Sequence, residues 1–452
     1  MTPPDSSDPL DTAHRYAVWL LARLGADETS LKRGEPGLHP VIDWARSGAM
    51  ALTGRRDGPA RLCPAPLTAC ADGVLRAFEA IAGPLPGLSG GDLLTERAAI
   101  MGLTRNGATS LGGSCRLLLA DDGWIAVNLP RPDDWAMVPA WLETDIQPDW
   151  EAVAEVVKER TAEALLTQGH LLGLAIAVMN EPTADCGPWR IERPSNGPGG
   201  RRRDRPLVLD LTGLWAGPLC CSLLRMQRAR VIKIENIHRP DGARRGSAQF
   251  YDLLNVGKES VALDFGSANG LAQLRRLIEA ADIVVESARP RALRQFGIDA
   301  EEMVASVPGL TWVGITGYGR EEPEANWIAF GDDAGVAAGL SSLVAEPDGT
   351  PNFCADAIAD PLAGLHAALA AWHCWISGAG GLVSVSLRDV AAHCVNFDRP
   401  ANGLRERRLE WQEMLEACRE PVAEPTARRS GGIARSLGAD TAVVLSEFGL
   451  RC

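Results

Sequence analysis

The sequence predicts an α/β fold in which a large domain with a doubly wound, mostly parallel sheet is joined to a smaller α+β domain. From residue 207 onward, short apolar runs alternate with amphipathic segments. This is the pattern of a parallel sheet covered by helices on both faces. Residues 116–129 instead show two apolar runs around an Asp-Asp-Gly turn, which indicates a β-hairpin. At 452 residues, the chain is long enough for two or three domains.

The first half is predicted to contain a helical segment followed by the small domain. Residues 1–94 form the helical segment, with helices at 15–24, 41–54 and 68–82. Residues 95–192 form the small α+β domain, with strands at 116–119, 124–129 and 175–178 and helices at 133–142 and 150–168. Residues 193–206, rich in Gly, Pro and Arg, are predicted to be a linker.

The second half is predicted to be a Rossmann-like large domain at 207–398, followed by a C-terminal tail at 399–452 that packs back on it. The predicted strands are 207–211, 230–235, 260–265, 283–286, 310–315 and 382–387. The predicted helices are 217–226, 271–281, one beginning at Asp360, and 437–450.

Composition narrows the class of protein. A formal charge of −13 argues against binding to nucleic acid or to an anionic membrane surface. No run approaches eighteen apolar residues and the polar start is unlike a signal peptide, so we expect a cytoplasmic protein. The eleven cysteines include no C-x-x-C pair, and no H-E-x-x-H motif accompanies the seven histidines. We therefore expect reduced thiols and no metal site.

One segment stands out as a candidate site. Asp360 precedes Pro361 at what reads as a helix start, where Asp is a favoured N-cap and Pro suits the first turn. Gly364 follows one turn later and costs stability unless another backbone approaches closely. From this segment alone, Asp360 is either an ordinary helix cap or a catalytic carboxylate.

Several motifs occur together in the second half, namely Leu209-Asp-Leu-Thr212 before Ala216-Gly-Pro218, and residues 231–235, 255–264, 282–297, 316–319, 359–369, 385–389 and 436–441. Together they resemble the motifs of the family III CoA-transferases, the CaiB/BaiF family, which include formyl-CoA and carnitine CoA-transferases. The hairpin around Trp124 resembles the family's small domain, which here precedes the large domain. An interlocked homodimer is typical of the family, and a homodimer is possible here.

The resemblance implies transfer of CoA from an acyl-CoA to a small carboxylic acid, with Asp360 as the nucleophile. Asp360 would form an acyl anhydride and then an aspartyl-CoA thioester. Coenzyme A is then a substrate, and no tightly bound cofactor is expected. The resemblance also implies CoA-binding positions in loops after the strands, and a glycine turn that covers the site. These positions are Leu214, Trp215, Ala216, Ser287, Ala288 and Thr316, with Gly112 and Gly113 as the turn. Arg289 and Arg294 lie close enough to the second loop in the sequence to contact the phosphate groups of CoA. The arginines are alternatively solvent-facing helix charges, and the glycines an ordinary strand-entry turn.

The first half contains an echo of the large domain. An offset of 291 residues carries Gly48 to Gly339 and Gly73 to Gly364 without a gap. The same offset places Ala69 opposite Asp360. We therefore interpret the first half as a degenerate copy that lacks the carboxylate.

Two other functions remain open. Some relatives in the family are acyl-CoA racemases with a His–Asp pair, and Asp332 stands at the position of that His. The chain is alternatively a non-catalytic acyl-CoA-binding protein. A nicotinamide dehydrogenase is disfavoured because no G-x-G-x-x-G follows the first strand of the large domain.

Overall fold

A computed structural model of the chain describes residues 11–31, 38–182, 187–192, 200 and 203–451. The strands within these ranges form two separate sheets. They are β1 Cys115–Leu119, β2 Trp124–Asn128, β3 Ala175–Val178, β4 Arg190–Glu192, β5 Leu207–Leu211, β6 Arg230–Asn236, β7 Glu259–Leu263, β8 Ile283–Glu286, β9 Thr311–Thr316 and β10 Gly381–Ser386. Most of the predicted linker (193–199 and 201–202) lies outside the described residues.

The small sheet confirms the predicted hairpin. Its strands are antiparallel in the order β1-β2-β3. Leu119 pairs with Trp124 at the end of the hairpin, and the backbone N–H of Ala120 donates to the Gly123 carbonyl at 2.7 Å. Two apolar runs around an Asp-Asp-Gly turn were therefore a sufficient signal for this part of the fold.

The large sheet has the order β4-β10-β9-β8-β5-β6-β7. Every neighbouring pair is parallel except β4–β10, which confirms the doubly wound, mostly parallel prediction. The short edge strand β4 was not predicted, because three residues carry no measurable period. The chain winds from β5 outward to β7 and then returns to place β8 on the other side of β5. The loops after β5 and β8 therefore diverge at the topological switch point, where open α/β sheets bind ligands.

Helices surround both sheets. They are α1 Thr12–Leu24, α2 Pro40–Arg46, α3 Leu67–Ala82, α4 Gly90–Leu93, α5 Glu96–Met101, α6 Pro132–Trp141, α7 Trp150–Val157, α8 Ala162–Leu171, α9 Ala216–Met226, α10 Ala248–Asn255, α11 Ala268–Ala280, α12 Pro290–Arg294, α13 Ala300–Ser306, α14 Gly331–Ala337, α15 Leu340–Leu343, α16 Ala359–Ile376, α17 Leu387–Asn396, α18 Leu404–Cys418 and α19 Thr441–Glu447. Short 3₁₀ turns occur at Glu28–Ser30, Gly242–Arg245 and Glu324–Asn326.

Helix α16 lies at the centre of a core that both halves of the chain share. Nearly all of its residues are buried, on every face, and they pack against α3, α9 and α17. The Tyr16 hydroxyl of α1 lies 2.7 Å from Nε2 of His366, and the Trp372 indole N–H donates to the Ile81 carbonyl at 3.3 Å. A helix that is apolar all round must be covered on all sides, and residues of the first half supply one of those sides.

Two predicted helices are wrong in extent. The helix predicted at 41–54 ends at Arg46, because Gly48 adopts a left-handed conformation with φ of 84° and Pro425 packs against it. The helix predicted at 150–168 is two helices. Thr161 is extended and caps α8 by accepting from the Ala164 N–H at 3.4 Å, and Asp122 accepts from the Ala162 N–H at 2.7 Å.

The C-terminal helix is also shorter than predicted. It spans Thr441–Glu447 rather than 437–450, because Gly438 is left-handed and the Asp440 N–H donates to the Ser260 carbonyl at 2.9 Å. Asp440 in turn accepts from the Ser260 N–H at 2.8 Å. These bonds join the tail to β7 and leave too few residues for a longer helix.

The 291-residue offset seen in the sequence also relates parts of the structure. Adding 291 to the residue numbers of α2, Pro40–Arg46, gives those of α14, Gly331–Ala337. Gly48 and Gly339 both have positive φ and both pack against a proline, Pro425 and Pro182 respectively. These matches support the interpretation of the first 94 residues as a degenerate copy, and that interpretation stays a prediction.

Candidate active site

Asp360 is the second residue of α16 and follows a tight turn at residues 355–358. Ala355 and Ala357 in this turn have left-handed backbones, with φ of 54° and 43°. That conformation costs a residue with a Cβ about 1–2 kcal/mol. The predicted N-cap role of Asp360 is wrong, because the helix begins at Ala359 and Ile358 occupies the cap position. The Asp360 N–H donates to the Ala357 carbonyl at 2.9 Å, which closes the turn.

The Asp360 carboxylate contacts a different helix. Its Oδ2 accepts from the backbone N–H of Gly331, the first residue of α14, at 3.1 Å. A Cβ at Gly331 would lie 2.5 Å from that oxygen and would also overlap the Ala357 carbonyl. Glycine is therefore required where α14 meets the turn. Asp360 is only partly buried, so its carboxylate keeps some contact with solvent.

Two further carboxylates, Asp332 and Asp356, act on Asp360, and a third, Asp333, lies beside Asp332. Asp332 accepts from the Ala357 N–H at 3.1 Å, Asp356 is fully buried, and Asp333 accepts from the Asn128 side chain at 2.7 Å. Burial raises the pKa of Asp360 to about 7, with Arg97 opposing the shift and Asp332 adding to it. Burial and the nearby Asp356 raise the pKa of Asp332 to about 6. Burial likewise raises the pKa of Asp333 to about 7. Raised carboxyl pKa values in one cluster are typical of a functional site.

Arg97, at the start of α5 in the first half, is the cation of this cluster. Its Nε donates to Asp356 Oδ2 at 2.8 Å, and its Nη2 donates to Asp356 Oδ1. Its guanidinium lies over the Trp215 ring, 5.4 Å from the centroid. Burial lowers the pKa of Arg97, but Asp356, followed by Asp332 and Asp360, outweighs burial and holds that pKa above its usual value. Arg97 was not predicted from the sequence, because a single arginine in a short helix is not part of any recognisable motif.

The loop after β5 holds three of the predicted CoA-binding residues at the switch point. Leu214 is left-handed, with φ of 66°, and is 45% exposed. Its N–H donates to Asp241 at 3.0 Å. Trp215 is buried beside Arg97, and within the described residues its indole N–H has no hydrogen-bond partner. Ala216 begins α9, and a Cβ at Gly364 would lie 2.5 Å from its carbonyl oxygen. Gly364 thus provides the close approach that the sequence suggested, one turn from Asp360.

Buried ion pairs hold this loop. Lys233 lies 3.0 Å from Asp241 and donates to the Thr212 carbonyl at 2.8 Å. Lys258 donates to Asp210 at 2.8 Å and to the Pro218 carbonyl at 3.0 Å. All four charged side chains are almost completely buried. Each charge is therefore paired, as burial requires, and the backbone after β5 is fixed in place.

The structure brings the second predicted loop to the same edge of the sheet. Ser287 follows β8, and its Oγ accepts from the Gly213 N–H at 3.2 Å, across the switch point. Ser287 is exposed and Ala288 is partly buried. Thr316 ends β9 at the same edge, and its Oγ1 accepts from the Gly319 N–H at 3.0 Å. These positions line the carboxyl ends of neighbouring parallel strands.

The two predicted arginines have different environments. Arg289 lines a cavity of about 650 Å³, which is also lined by Arg131, Asp133, Asp134, Glu163, His170, Arg291, Trp327 and Ile328. Burial lowers the pKa of Arg289, and Arg291, Arg131 and Arg239 lower it further. Within the described residues, Arg289 forms no ion pair and donates only to the Asn326 carbonyl, at 3.3 Å. Arg289 is therefore a cation without an ion pair in the described residues, although the cavity lining as a whole holds as many acidic side chains as arginines.

Arg294, by contrast, is paired. Its guanidinium lies 2.7 Å from Asp299 and 3.1 Å from Glu301. The side chain is 45% exposed. Of the two readings that the sequence left open, Arg294 fits the solvent-facing charge and Arg289 fits the ligand-facing one.

One short segment of the chain joins the cavity lining to the contact with Asp360. Ile328 lines the cavity, and Gly331, which bonds Asp360, follows three residues later. The guanidinium of Arg131 lies 5.9 Å from the centroid of the intervening Phe330 ring. Residues 328–331 therefore connect the lining of the cavity to the hydrogen bond with Asp360.

The predicted glycine turn lies beside the cluster. Gly113 is left-handed, and its N–H donates to the Ser110 carbonyl at 2.9 Å. A Cβ at Gly112 would lie 3.7 Å from Nη2 of Arg97. The Ser110 side chain hydrogen-bonds Asp332, which opposes the rise in the pKa of that carboxyl. The turn therefore contacts the same charged groups as Asp360.

Two other features, a metal site and a membrane-spanning helix, are absent from the described part of the chain. No group of three or more His, Cys, Asp or Glu side chains there is arranged to hold a metal ion. No helix in those ranges is long and apolar enough to cross a membrane.

The fold and the site together define an α/β protein with an ionisable carboxylate beside the ligand-binding edge of its sheet. Residues 206–412 match the sequence model of CoA-transferase family III. The match includes Asp360 and both loops of the switch point.

Individual relatives agree with the family match. The chain is 31% identical over 200 residues to a succinate–glutarate CoA-transferase of Agrobacterium fabrum, covering 40% of this chain and 50% of the relative. It is 32% identical over 182 residues to a succinyl-CoA–D-citramalate CoA-transferase of Chloroflexus aurantiacus, covering 38% and 45%. It is 32% identical over 193 residues to a formyl-CoA:oxalate CoA-transferase of Escherichia coli, covering 40% and 46%. The chain spans about half the length of the curated relatives it matches.

Solved structures also match in part. A CaiB/BaiF family protein from Brucella suis is 26% identical, with a TM-score of 0.40 and coverage of 50% of this chain and 60% of the other. A hypothetical protein from Mycobacterium tuberculosis is 29% identical, with a TM-score of 0.39 and coverage of 43% and 56%.

Proposed function

We propose that the protein transfers CoA from an acyl-CoA to a carboxylic acid, with Asp360 as the covalent nucleophile. The observation that carries this proposal is the position of Asp360 within the family-matched segment. It lies one helical turn from the contact between α16 and the switch-point loop, and its carboxylate is partly accessible. The start of α16 and the cation of Arg97 both favour the ionised form that must attack the thioester.

The proposed reaction balances without water, an oxidant or any other added reactant. A carboxylate oxygen of Asp360 attacks the thioester carbonyl, the C–S bond breaks, and an acyl–aspartyl anhydride forms as CoA thiolate leaves. The thiolate then attacks the aspartyl carbonyl and releases the donor's acid, which leaves an aspartyl-CoA thioester. The acceptor carboxylate then attacks the aspartyl-CoA thioester, which releases CoA thiolate and forms an acceptor–aspartyl anhydride. The thiolate attacks the acceptor carbonyl of this anhydride, which yields the new acyl-CoA and regenerates Asp360.

CoA is proposed to enter through the arginine-lined cavity. Its phosphate groups would lie near Arg289, which has no competing carboxylate partner in the described residues. The loops at Leu214–Ala216 and Ser287–Ala288 would contact the rest of the CoA molecule, and Thr316 would lie at the same edge of the large sheet. The turn at Gly112 and Gly113 would cover the reacting carbonyl and exclude water.

We further propose that the first half has a structural role and holds no second active site. Its helical segment, 1–94, has Ala69 where Asp360 stands in the second half. The small domain, 95–192, supplies the turn that covers the site, and the large domain, 207–398, supplies the CoA-binding sheet. The tail, 399–452, packs back on both halves, as the Arg428–Glu96 ion pair illustrates.

A racemase is the second candidate, because a particular observation favours it. Asp332 is partly accessible like Asp360, and the two carboxyl pKa values are raised to about 6 and about 7. Two neighbouring carboxyl groups with raised pKa values can exchange protons near neutral pH and so serve as base and acid. A racemase would exchange the Cα hydrogen of the acyl group with solvent deuterium and would not move CoA to another acid.

The decisive experiment is the intact mass of the protein after mixing with a panel of acyl-CoAs. A transferase should show an adduct that maps to Asp360, and Asp360→Asn should lose the adduct and the transfer activity while it still binds CoA. Asp360→Glu should be nearly inactive, because one added methylene displaces the attacking oxygen. CoA transfer by the Asn variant would exclude the proposal, deuterium exchange without an adduct would favour the racemase, and binding alone would favour a non-catalytic protein.

A further inference from the structure

Two side chains from the first half of the chain hold the turn that precedes Asp360. The Oγ1 atom of Thr53 accepts from the Ala355 N–H at 3.0 Å and donates to the Ala49 carbonyl at 2.9 Å, so its orientation is fixed. Arg97 donates two hydrogen bonds to the carboxylate of Asp356. Thr53 and Asp356 are both completely buried.

The turn needs such support because of its backbone. Ala355 and Ala357 are both left-handed, a conformation that persists only when surrounding structure enforces it. The Ala357 carbonyl accepts from the Asp360 N–H, and the Ala357 N–H donates to Asp332. A change in the turn would therefore move both carboxylates that the proposed chemistry uses.

Arg97 also provides the positive charge that the carboxylate cluster faces. The groups around Asp360 are Asp332 and Asp333 from α14, Asp356 from the turn, and Arg97 from α5. Arg97 is held between Asp356 and the ring of Trp215, with Gly112 beside its Nη2. These three neighbours belong, respectively, to the turn before Asp360, the switch-point loop and the glycine turn of the candidate site.

We infer that Arg97 is a positioning residue for Asp360, contributed to the active site by the first half of the chain. It fixes the turn through Asp356 and supplies the charge that keeps Asp360 available as a carboxylate. The kinetic consequences rest on the proposed CoA transfer, whereas the effect on the ionisation of Asp360 does not. The first half would then be required for catalysis although it carries no nucleophile.

The alternative is that Arg97 only neutralises the buried Asp356. Arg97→Gln alone cannot distinguish the positioning role from simple neutralisation of Asp356, because an unpaired buried carboxylate is destabilising whatever its function. The double variant Arg97→Gln/Asp356→Asn removes both charges and retains amides that can hydrogen-bond. Arg428 and Glu96 provide a matched control, since Arg428 donates to the buried Glu96 at 2.7 and 2.9 Å, one residue away from Arg97. The control variant is Arg428→Gln/Glu96→Gln.

The first measurement needs no acyl-CoA. A diazo reagent esterifies protonated carboxyl groups, so the extent of Asp360 esterification against pH, read by peptide mass spectrometry, reports its ionisation. We expect the midpoint to rise by at least half a pH unit, on the order of a threefold change in ionisation, in Arg97→Gln/Asp356→Asn, because Arg97 lowers the pKa of Asp360 more than Asp356 raises it. We expect no rise in the Arg428 control or in Arg97→Lys, which keeps the charge. An unchanged midpoint in the first double variant would overturn the inference.

The second measurement is steady-state CoA transfer. We expect kcat of Arg97→Gln/Asp356→Asn to fall about tenfold or more, as a misplaced nucleophile requires, with KM changed less than kcat. Thr53→Val should lower kcat without moving the esterification midpoint, and Thr53→Ser should restore the rate. Wild-type rates in Arg97→Gln/Asp356→Asn would contradict the positioning role. If the wild-type protein transfers no CoA at all, the proposed function fails, and the esterification result still decides the inference about Arg97.

Discussion

The Oδ2 atom of Asp360 accepts a hydrogen bond from the backbone N–H of Gly331 at 3.1 Å, which joins the start of α16 to the start of α14. The contact is possible because Gly331 has no side chain. The proposed nucleophile is therefore oriented by a backbone N–H from a separate helix, at a position where any other residue would collide with it.

Gly331→Ala should lower kcat by tenfold or more, since a displacement of about 1 Å at a reacting group costs on the order of 100-fold in rate. Gly335→Ala, in the same helix, is the control. Its Cβ would make an ordinary contact, 3.4 Å from Leu340, and alanine favours a helix by about 1 kcal/mol over glycine. Steady-state rates and thermal unfolding of both variants test this. Equal activity of the two variants would show that the Gly331 contact is unimportant for the reaction.

The rate of CoA transfer should rise with pH through about 7. The pKa of Asp360 is raised to about 7, and only the ionised carboxylate attacks the thioester. Below pH 7 the ionised fraction falls about tenfold for each pH unit, so log kcat/KM should rise with a slope of one and then level off. The measurement is kcat/KM from pH 5 to 9 with a stable acyl-CoA. A profile that is flat between pH 5 and 7 would contradict the assignment.

Asp360→Asn should stabilise the protein at alkaline pH. Because the folded pKa of Asp360, about 7, is above its unfolded value of about 3.9, the folded state binds more protons between these values. Its contribution to stability is therefore fully present below about pH 4 and is lost as pH rises through 7. The Asn variant has no such loss. Its melting temperature should exceed that of the wild type by a few degrees at pH 8, and the difference should shrink toward pH 5. A difference independent of pH would argue against a raised pKa.

Arg289→Gln should raise KM for the acyl-CoA about tenfold, since a hydrogen bond to a charged group contributes about 1.5–3 kcal/mol. The matched control is Arg294→Gln, because Arg294 already pairs with Asp299 and Glu301. KM for acyl-CoA and the affinity of free CoA, measured by calorimetry, test the pair. A larger effect at Arg294 than at Arg289 would place the phosphates elsewhere. The effect at Arg289 should also weaken as ionic strength rises.

Much of the large domain follows from local sequence patterns. Strands 207–211 and 283–286 and the strand 175–178 of the small domain were predicted with the bounds that the structure shows. Buried parallel strands are short apolar runs between breakers, and such runs can be read without knowing their neighbours. The helix ends were harder. Gly48 ends α2 where Pro425 lies against it, more than 370 residues away in the chain, and no local pattern contains that contact.

For the candidate site, the sequence by itself determined the family-like segment, Asp360 and the loops at the switch point. Each of these depends on residue types at fixed spacing within one stretch of chain. The tertiary structure alone decided that Arg97 and Thr53 reach the turn before Asp360, and that Arg289 faces a cavity while Arg294 is paired. The contacts of Arg97 and Thr53 join residues that are hundreds of positions apart in the chain. Arg289 and Arg294 are close in the sequence, yet their surroundings differ. Burial and charge pairing depend on which surfaces meet when the chain folds, and local sequence spacing does not encode that.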